Sequence, residues 1–353
     1  HIGVLKDPRI NISLRENVDI NRIVICNGAT QGLHIAVCAA LAKNEEKTVT
    51  IAVESPCYAP IVQSPQLFNH EVIKVNRNRP KNNLGFWRID RNQWLEAIRK
   101  CSILMVTPIL NPSGWDFHPE DRSWIVSTCK ENDVIIIADE VYLDSKKTQD
   151  DYTPFHTLGD HCISINSLTK IYSLGTLRFG WIIASPKIAE QARRAFITLG
   201  GVMGSPILRI ADSIFPHLDV VLEKVEHYRE KNLPLLRKLL EKFEITWNEP
   251  PHGIFGSFRL PHGINSLEFV DQECKRYGVL LVPGNMFDKG YDDWVRIAWS
   301  IEPKLFQEAI NKLKDHSEKN KPEAQLLYAK ILYSGEITTQ NFEMSYFWAN
   351  ISK

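Results

Sequence analysis

The residues whose types and spacing could do covalent chemistry lie in one stretch, Ser167-Leu-Thr-Lys-Ile-Tyr-Ser-Leu-Gly-Thr-Leu-Arg-Phe-Gly180. Lys170 follows an apolar run, Cys162-Ile-Ser-Ile165, that reads as the end of a buried strand. Apolar surroundings favour the neutral amine, which is the form that attacks a carbonyl to make a Schiff base. Arg178 offers a fixed fork of donors suited to a phosphate, and Ser167 and Thr169 add hydroxyls. Together these groups suggest an aldehyde cofactor carrying a phosphate, pyridoxal 5'-phosphate. A lone lysine is far more often a solvated surface group, so the reading depends on the rest of the chain.

Further candidates stand at the ends of predicted strands. Ile23-Val-Ile-Cys26 reads as a buried strand, and Asn27-Gly-Ala-Thr30 opens an apolar helix to about Ala42. Small residues at Gly28 and Ala29 leave backbone N–H groups at the positive end of that helix, which binds phosphate readily. The competing reading makes Thr30 a plain helix cap. The strand Thr48–Val53 ends in Glu54-Ser-Pro-Cys-Tyr58, a position where open α/β sheets place ligands. There Tyr58 would stack on a flat ring or simply pack. The strand Ser102–Thr107 closes with Pro108-Ile-Leu-Asn-Pro-Ser-Gly114, in which Asn111 is a polar candidate inside what is also an ordinary turn. Val134-Ile-Ile-Ile-Ala138, apolar throughout as a central parallel strand is, runs into Asp139-Glu-Val-Tyr142. An acid at the mouth of such a strand needs a partner, or burial forces it to protonate. A protonated pyridine nitrogen is one such partner; a helix cap or a salt bridge is another.

These positions need elements to hold them. Residues 1–22 predict a weak helix and a turn. From residue 23 strands alternate with helices, including a strand at Glu71–Val75 and helices at Arg91–Lys100 and Pro119–Asn132, which predicts a mostly parallel sheet covered by helices. After the lysine stretch, Phe179–Ala184 reads as a returning strand. A helical tract then runs from about Lys187 to Phe243, broken near Gly200-Gly201 and Gly204-Ser-Pro206. Its second half is amphipathic. From Ile245 to Lys314 the pattern becomes α+β, with strands at His252–Phe258, Val279–Val282 and Trp294–Ala298, a helix over Ser266–Tyr277 and a last one near Pro303–Asp315. The expected organisation is a large domain over 23–215, a smaller α+β domain over 216–315, and a linker and helical tail over 316–353. The tail resembles a single Sel1-type repeat. One such unit cannot bury its own apolar face, so it is expected to stack on further repeats, dock on the body or meet a protein partner.

Composition narrows the function. The chain has 353 residues, with Lys+Arg and Asp+Glu balanced at 42 each, so no global field points to nucleic acid or an anionic membrane. No run approaches the roughly 18 apolar residues that span a bilayer. Seven cysteines without C-x-x-C spacing make neither a disulfide framework nor a metal site and read as reduced, which favours the cytoplasm. A dinucleotide-binding oxidoreductase lacks its G-x-G-x-x-G after the first strand.

Taken in order, Gly28-Ala29-Thr30, Tyr58, Asn111-Pro-x-Gly114, Asp139-x-x-Tyr142, Ser167-x-x-Lys170, Arg178-x-Gly180 and the late Val295-Arg296-Ile297 resemble the class I/II aminotransferases, fold-type I pyridoxal-phosphate enzymes. The match runs from about residue 3 to 315. The resemblance implies that Lys170 forms the internal aldimine and shuttles the proton, and that Asp139 keeps the pyridine nitrogen protonated. Tyr142 and Asn111 would hydrogen-bond the phenolic oxygen, and Tyr58 would stack on the ring. Gly28, Ala29, Thr30, Ser167 and Arg178 would hold the phosphate, while Arg296, with Asn111, would bind the substrate carboxylate. It also implies a homodimer acting on an α-amino acid and an α-keto acid. The same residues support β-elimination, cyclisation or decarboxylation, and a non-catalytic sensing module is a further alternative. Trp87, Phe86 and Tyr58 would form an apolar wall of the substrate pocket or merely pack. Two departures stand out. The several dozen residues that family members carry before the point matched by Gly3 are absent, so the chain is expected to be clipped, and Thr-Pro-Ile-Leu precedes Asn111 where many relatives carry Asn-Pro-x.

Overall fold

A computed structural model of the chain describes residues 7–42, 48–80, 84–242, 244–260, 264–274 and 281–319. Its main sheet has eight strands: β1 (Ile23–Cys26), β2 (Thr50–Ser55), β3 (Glu71–Asn78), β4 (Arg88–Ile89), β5 (Ile103–Val106), β6 (Ile135–Asp139), β7 (Cys162–Ser167) and β8 (Gly180–Ile183). Their order is β1-β8-β7-β6-β5-β2-β3-β4. The run β3-β2-β5-β6-β7 pairs in parallel throughout. β8 lies antiparallel to both β7 and β1, so β1 points the same way as the parallel set. One edge of the sheet therefore collects the C-terminal ends of β1, β2, β5, β6 and β7 together with the start of β8.

Both faces of this sheet are covered, which is why β5 is apolar throughout and β6 is apolar up to Asp139. Successive residues alternate between two cores. Ile103 and Met105 join one cluster, and Leu104 and Val106 join the other. On the first face lies α2 (Ala29–Ala40), which contacts β6, β7, β8 and the helix α6 (Pro186–Gly200). The second face is closed by α4 (Arg91–Ile98) and α5 (Pro119–Glu131) through Trp94, Ala97, Ile98, Ile125 and Cys129.

The N-terminal segment forms α1 (Arg9–Glu16), and the expected glycine breaks separate α6 from α7 (Ser205–Ile214); a further break at Phe215–His217, around Pro216, separates α7 from α8 (Leu218–Lys242). A helix beyond the sequence expectations, α3 (Ala59–Leu67), follows β2. Pro60 stands in its first turn, where a missing N–H costs nothing, and the second proline, Pro65, comes near its end. A smaller antiparallel sheet, β10-β11-β9, is built from β9 (Phe255–Arg259), β10 (Val282–Pro283) and β11 (Trp294–Ala298). It packs on the second half of α8, through Leu233, Leu236, Leu239 and Leu240, and on the last helix, α9 (Pro303–Lys319), through Phe306 and Ile310. That helix continues four residues past the expected end at Asp315. The tail expected to resemble a Sel1-type repeat lies outside the described residues.

The smaller sheet is tied to the edge of the larger one. Asp288 accepts a hydrogen bond from Ser55 Oγ and pairs with Lys74 at 2.7 Å, and the Cys57 N–H donates to the Phe287 carbonyl at 3.4 Å. Among the described residues no helix is long and apolar enough to cross a membrane.

Candidate active site

Where β1 leaves the sheet, Gly28 takes φ +80° and stands as the N-cap of α2 without any side-chain cap. A side chain there would be strained by the backbone and would also collide, because an added Cβ would lie 2.8 Å from Arg178 Nη2. Thr30 sits inside the first turn of α2 and does not cap it, which removes the plain reading of that residue. Arg178 reaches this spot because it turns the chain into β8 with φ +52° and ψ +43°. Gly180, two residues on, lets the two segments approach, since a Cβ there would be 2.9 Å from the Gly28 carbonyl carbon. Ser167 ends β7 fully buried, and its Oγ lies 2.5 Å from Thr169 Oγ1 and accepts the Thr169 N–H at 3.3 Å. Arg178 thus lies beside the uncapped start of α2, and the Ser167–Thr169 hydroxyl pair ends β7 on the same edge of the sheet. Both sites suit an anion.

Beside this cup stand the reactive groups. Asp139 ends β6 almost without exposure; its Oδ1 accepts the Val141 N–H at 3.4 Å. Burial pushes its carboxyl up to about 6, against the pull of the Val141 N–H and the charge of Lys170. Lys170 is half-buried, with Nζ 5.8 Å from the centre of the Tyr58 ring. Lysine, carboxyl and aromatic ring come from the ends of three different strands.

A third group forms around Arg296 on β11. Its Nη1 donates to Asn111 Oδ1 at 2.8 Å, a contact across 185 positions of sequence. The guanidinium lies 5.1 Å from the Phe255 ring and 5.5 Å from the Phe287 ring. Burial lowers its pKa, partly countered by the nearby Tyr142 and Tyr58. Tyr142 is itself buried, with its ring edge against Phe255 at 4.7 Å. All the expected site residues therefore fall at the one sheet edge or on β11 facing it.

The sequence reading missed Phe255 and Phe287, which carry no signal beyond being aromatic. It also passed over Glu54, although an acid closing the apolar strand β2 gives the signal that singled out Asp139. Trp87 is buried and stacks on Tyr291, while Phe86 sets its edge on Trp115 and His118.

Residues 13–313 match the family described as aminotransferase class I and II. The chain belongs to this family. Membership makes it a transferase of amino groups. Among curated relatives of this aminotransferase, an LL-diaminopimelate aminotransferase of Maridesulfovibrio salexigens is 26% identical over 225 residues, covering 61% of this chain and 56% of the relative. An aspartate aminotransferase of Pyrococcus horikoshii is 22% identical over 322 residues, covering 86% of this chain and 78% of the relative. The chain thus spans little more than half of the first and over three quarters of the second. A solved PLP-dependent aminotransferase from Streptococcus suis superposes with a TM-score of 0.76 at 22% identity, covering 90% of this chain and 84% of that one. At that identity the likeness speaks for the fold, which is the α/β fold of fold-type I enzymes.

Proposed function

We propose that this aminotransferase moves an amino group between an α-amino acid and an α-keto acid on pyridoxal 5'-phosphate bound at the sheet edge. The observation that carries the reading is the arrangement at that edge: Lys170 beside Tyr58 and the buried Asp139, next to an uncapped helix start that Arg178 covers. The residues fit the cofactor. The first-turn N–H groups at Ala29 and Thr30 behind Gly28, the hydroxyl of Ser167 and the guanidinium of Arg178 suit its phosphate. Asp139 suits a ring nitrogen, because burial raises its carboxyl to about 6 and a facing cation would offset that cost and favour the ionised form. When bound, the cofactor supplies an electron sink for the bond broken at the substrate's Cα.

The chain's own groups do the rest. Lys170 Nζ would take the proton from the substrate's Cα and pass it to the cofactor's carbon rather than back to Cα. Tyr58 would cover one face of the cofactor's ring, and Tyr142 and Asn111 would donate hydrogen bonds to its oxygen. Arg296, held by Asn111 between two aromatic rings, offers a planar fork to the α-carboxylate, whose charge would offset the burial of the guanidinium. The proposed organisation is a cofactor domain over 23–215 and a smaller domain over 216–315 that carries Arg296. A second copy of the chain is the proposed partner. Exposed apolar residues at Leu14, Ile197 and Val202 support it. Cys26, Cys38, Cys57, Cys101, Cys129 and Cys162 are free thiols, which supports a reducing compartment, the cytoplasm.

The test is the visible absorption of the purified chain with added pyridoxal phosphate, beside Lys170→Ala, before and after mixing with a panel of amino acids. A band that only the wild type forms, and that some amino acids bleach, is the expected result. A band that never bleaches would remove the transfer reaction, and a band retained by Lys170→Ala would remove the lysine.

A further inference from the structure

Glu54 and Arg77 form a buried ion pair that takes no part in the chemistry above. They meet at 3.5 Å with almost no exposure, and the Arg77 guanidinium lies 3.8 Å from the centre of the Phe117 ring. Arg77 Nη1 donates to the carbonyls of Thr107 at 3.1 Å and Pro108 at 3.2 Å, and Nη2 donates to that of Trp115 at 2.9 Å. Glu54 Oε1 accepts the Thr107 N–H at 2.6 Å. The loop from Thr107 to Trp115 is thus gripped at both ends. It also closes on itself, with Leu110 N–H to Trp115 O at 2.9 Å and Gly114 N–H to Leu110 O at 2.7 Å. In its middle sits Asn111, the residue that holds Arg296.

Two buried charges are an expensive way to fill space, and a well-packed apolar pair is often as stable. What an apolar pair cannot supply is a planar fork that fixes three carbonyls at once. We propose that Glu54 and Arg77 are positioning residues that hold the Thr107–Trp115 loop so that Asn111 presents Arg296 to the substrate carboxylate. The inference rests on the reading of Arg296 as the carboxylate clamp. Burial pushes the Glu54 carboxyl up to about 7 even beside Arg77. Removing Arg77 alone would therefore leave Glu54 protonated and the grip on the loop broken.

The test uses the full chain as Arg77→Met, Asn111→Ala and their combination, with Glu54→Gln/Arg77→Met as the variant that leaves no unpaired buried charge. Three properties are measured: uptake of pyridoxal phosphate, KM against kcat for the fastest amino acid of the panel, and hydrogen exchange by peptide. The expected result for Arg77→Met is unchanged cofactor uptake and a KM raised about tenfold with a smaller change in kcat. Exchange should rise over 107–117 but not over 26–32 or 167–180. Because the two act in series, adding Asn111→Ala should raise KM by less than about twofold more. Losses that multiply in full, or a KM that stays put while the loop loosens, would overturn the proposal. If Arg77→Met does not fold, the doubly neutral variant carries the same comparisons. If the wild type takes up no cofactor, the site reading itself fails. The exchange pattern, which needs no cofactor, then decides whether the pair grips the loop.

Discussion

Asp139 is the residue whose behaviour follows most directly from its surroundings. Burial raises its carboxyl to about 6, and the Val141 N–H and Lys170 only partly offset that. A cationic ring nitrogen would complete the pairing, and an alanine would remove the charge that keeps the nitrogen protonated. For Asp139→Ala we expect retained cofactor and a turnover lower by about 10²–10³, the usual loss for one electrostatic stabiliser. Single-turnover absorbance measurements check this, and near-normal turnover would contradict the role. Arg296 has the opposite character, a permanent charge lodged between Phe255 and Phe287. Its orientation comes from Asn111, and hence from whatever holds Asn111.

Among the elements, α2 and β8 depend on each other at their ends. The start of α2 is uncapped, Arg178 covers it, and Gly28 and Gly180 are the two positions where any side chain would push these segments apart. For Gly28→Ala the new methyl meets Arg178 Nη2 at 2.8 Å on a backbone with φ +80°. We expect cofactor affinity to fall by about tenfold or more while the core beneath stays intact, since the strain falls on the turn alone. Fluorescence titration with pyridoxal phosphate, beside a thermal melt, separates the two. The α2 start was legible in sequence as a strand followed by small residues. Helix α3 was not, because the two prolines in its nine residues mask a helical pattern until Pro60 is seen in the first turn.

For the whole molecule, acid stability turns on His156, buried against β7. Its Nδ1 lies 3.2 Å from Ser164 Oγ, and its backbone carbonyl takes a hydrogen bond from Arg22. Burial, with Arg22 and Lys147 nearby, pushes its pKa down to about 4. The unfolded chain takes up this proton below about pH 6.5 and the folded one resists it, so the contribution is complete above about 6.5 and fades as pH falls toward 4. By pH 5 the loss amounts to about 2 kcal/mol. Urea midpoints at pH 7 and 5 should therefore converge more closely in His156→Gln than in the wild type. An equal drop in both would assign the acid limb to other groups.

The strand order along the chain, the lysine stretch, the acid at the end of β6 and the family they resemble were determined by the sequence itself. Each is a local event, a change from an apolar run to a small, polar or charged residue, and burial writes that change into the chain. The tertiary structure alone decided which strand ends share an edge, that Thr30 is no cap, and that Asn111 meets Arg296 across 185 positions. It also decided that Glu54 and Arg77 close into one pair beneath the Asn111 loop. These are contacts between segments far apart in sequence, and no local pattern encodes them. They depend on the order in which the strands lie side by side, with β8 turned against its neighbours and β11 brought over the sheet edge by the packing of α8.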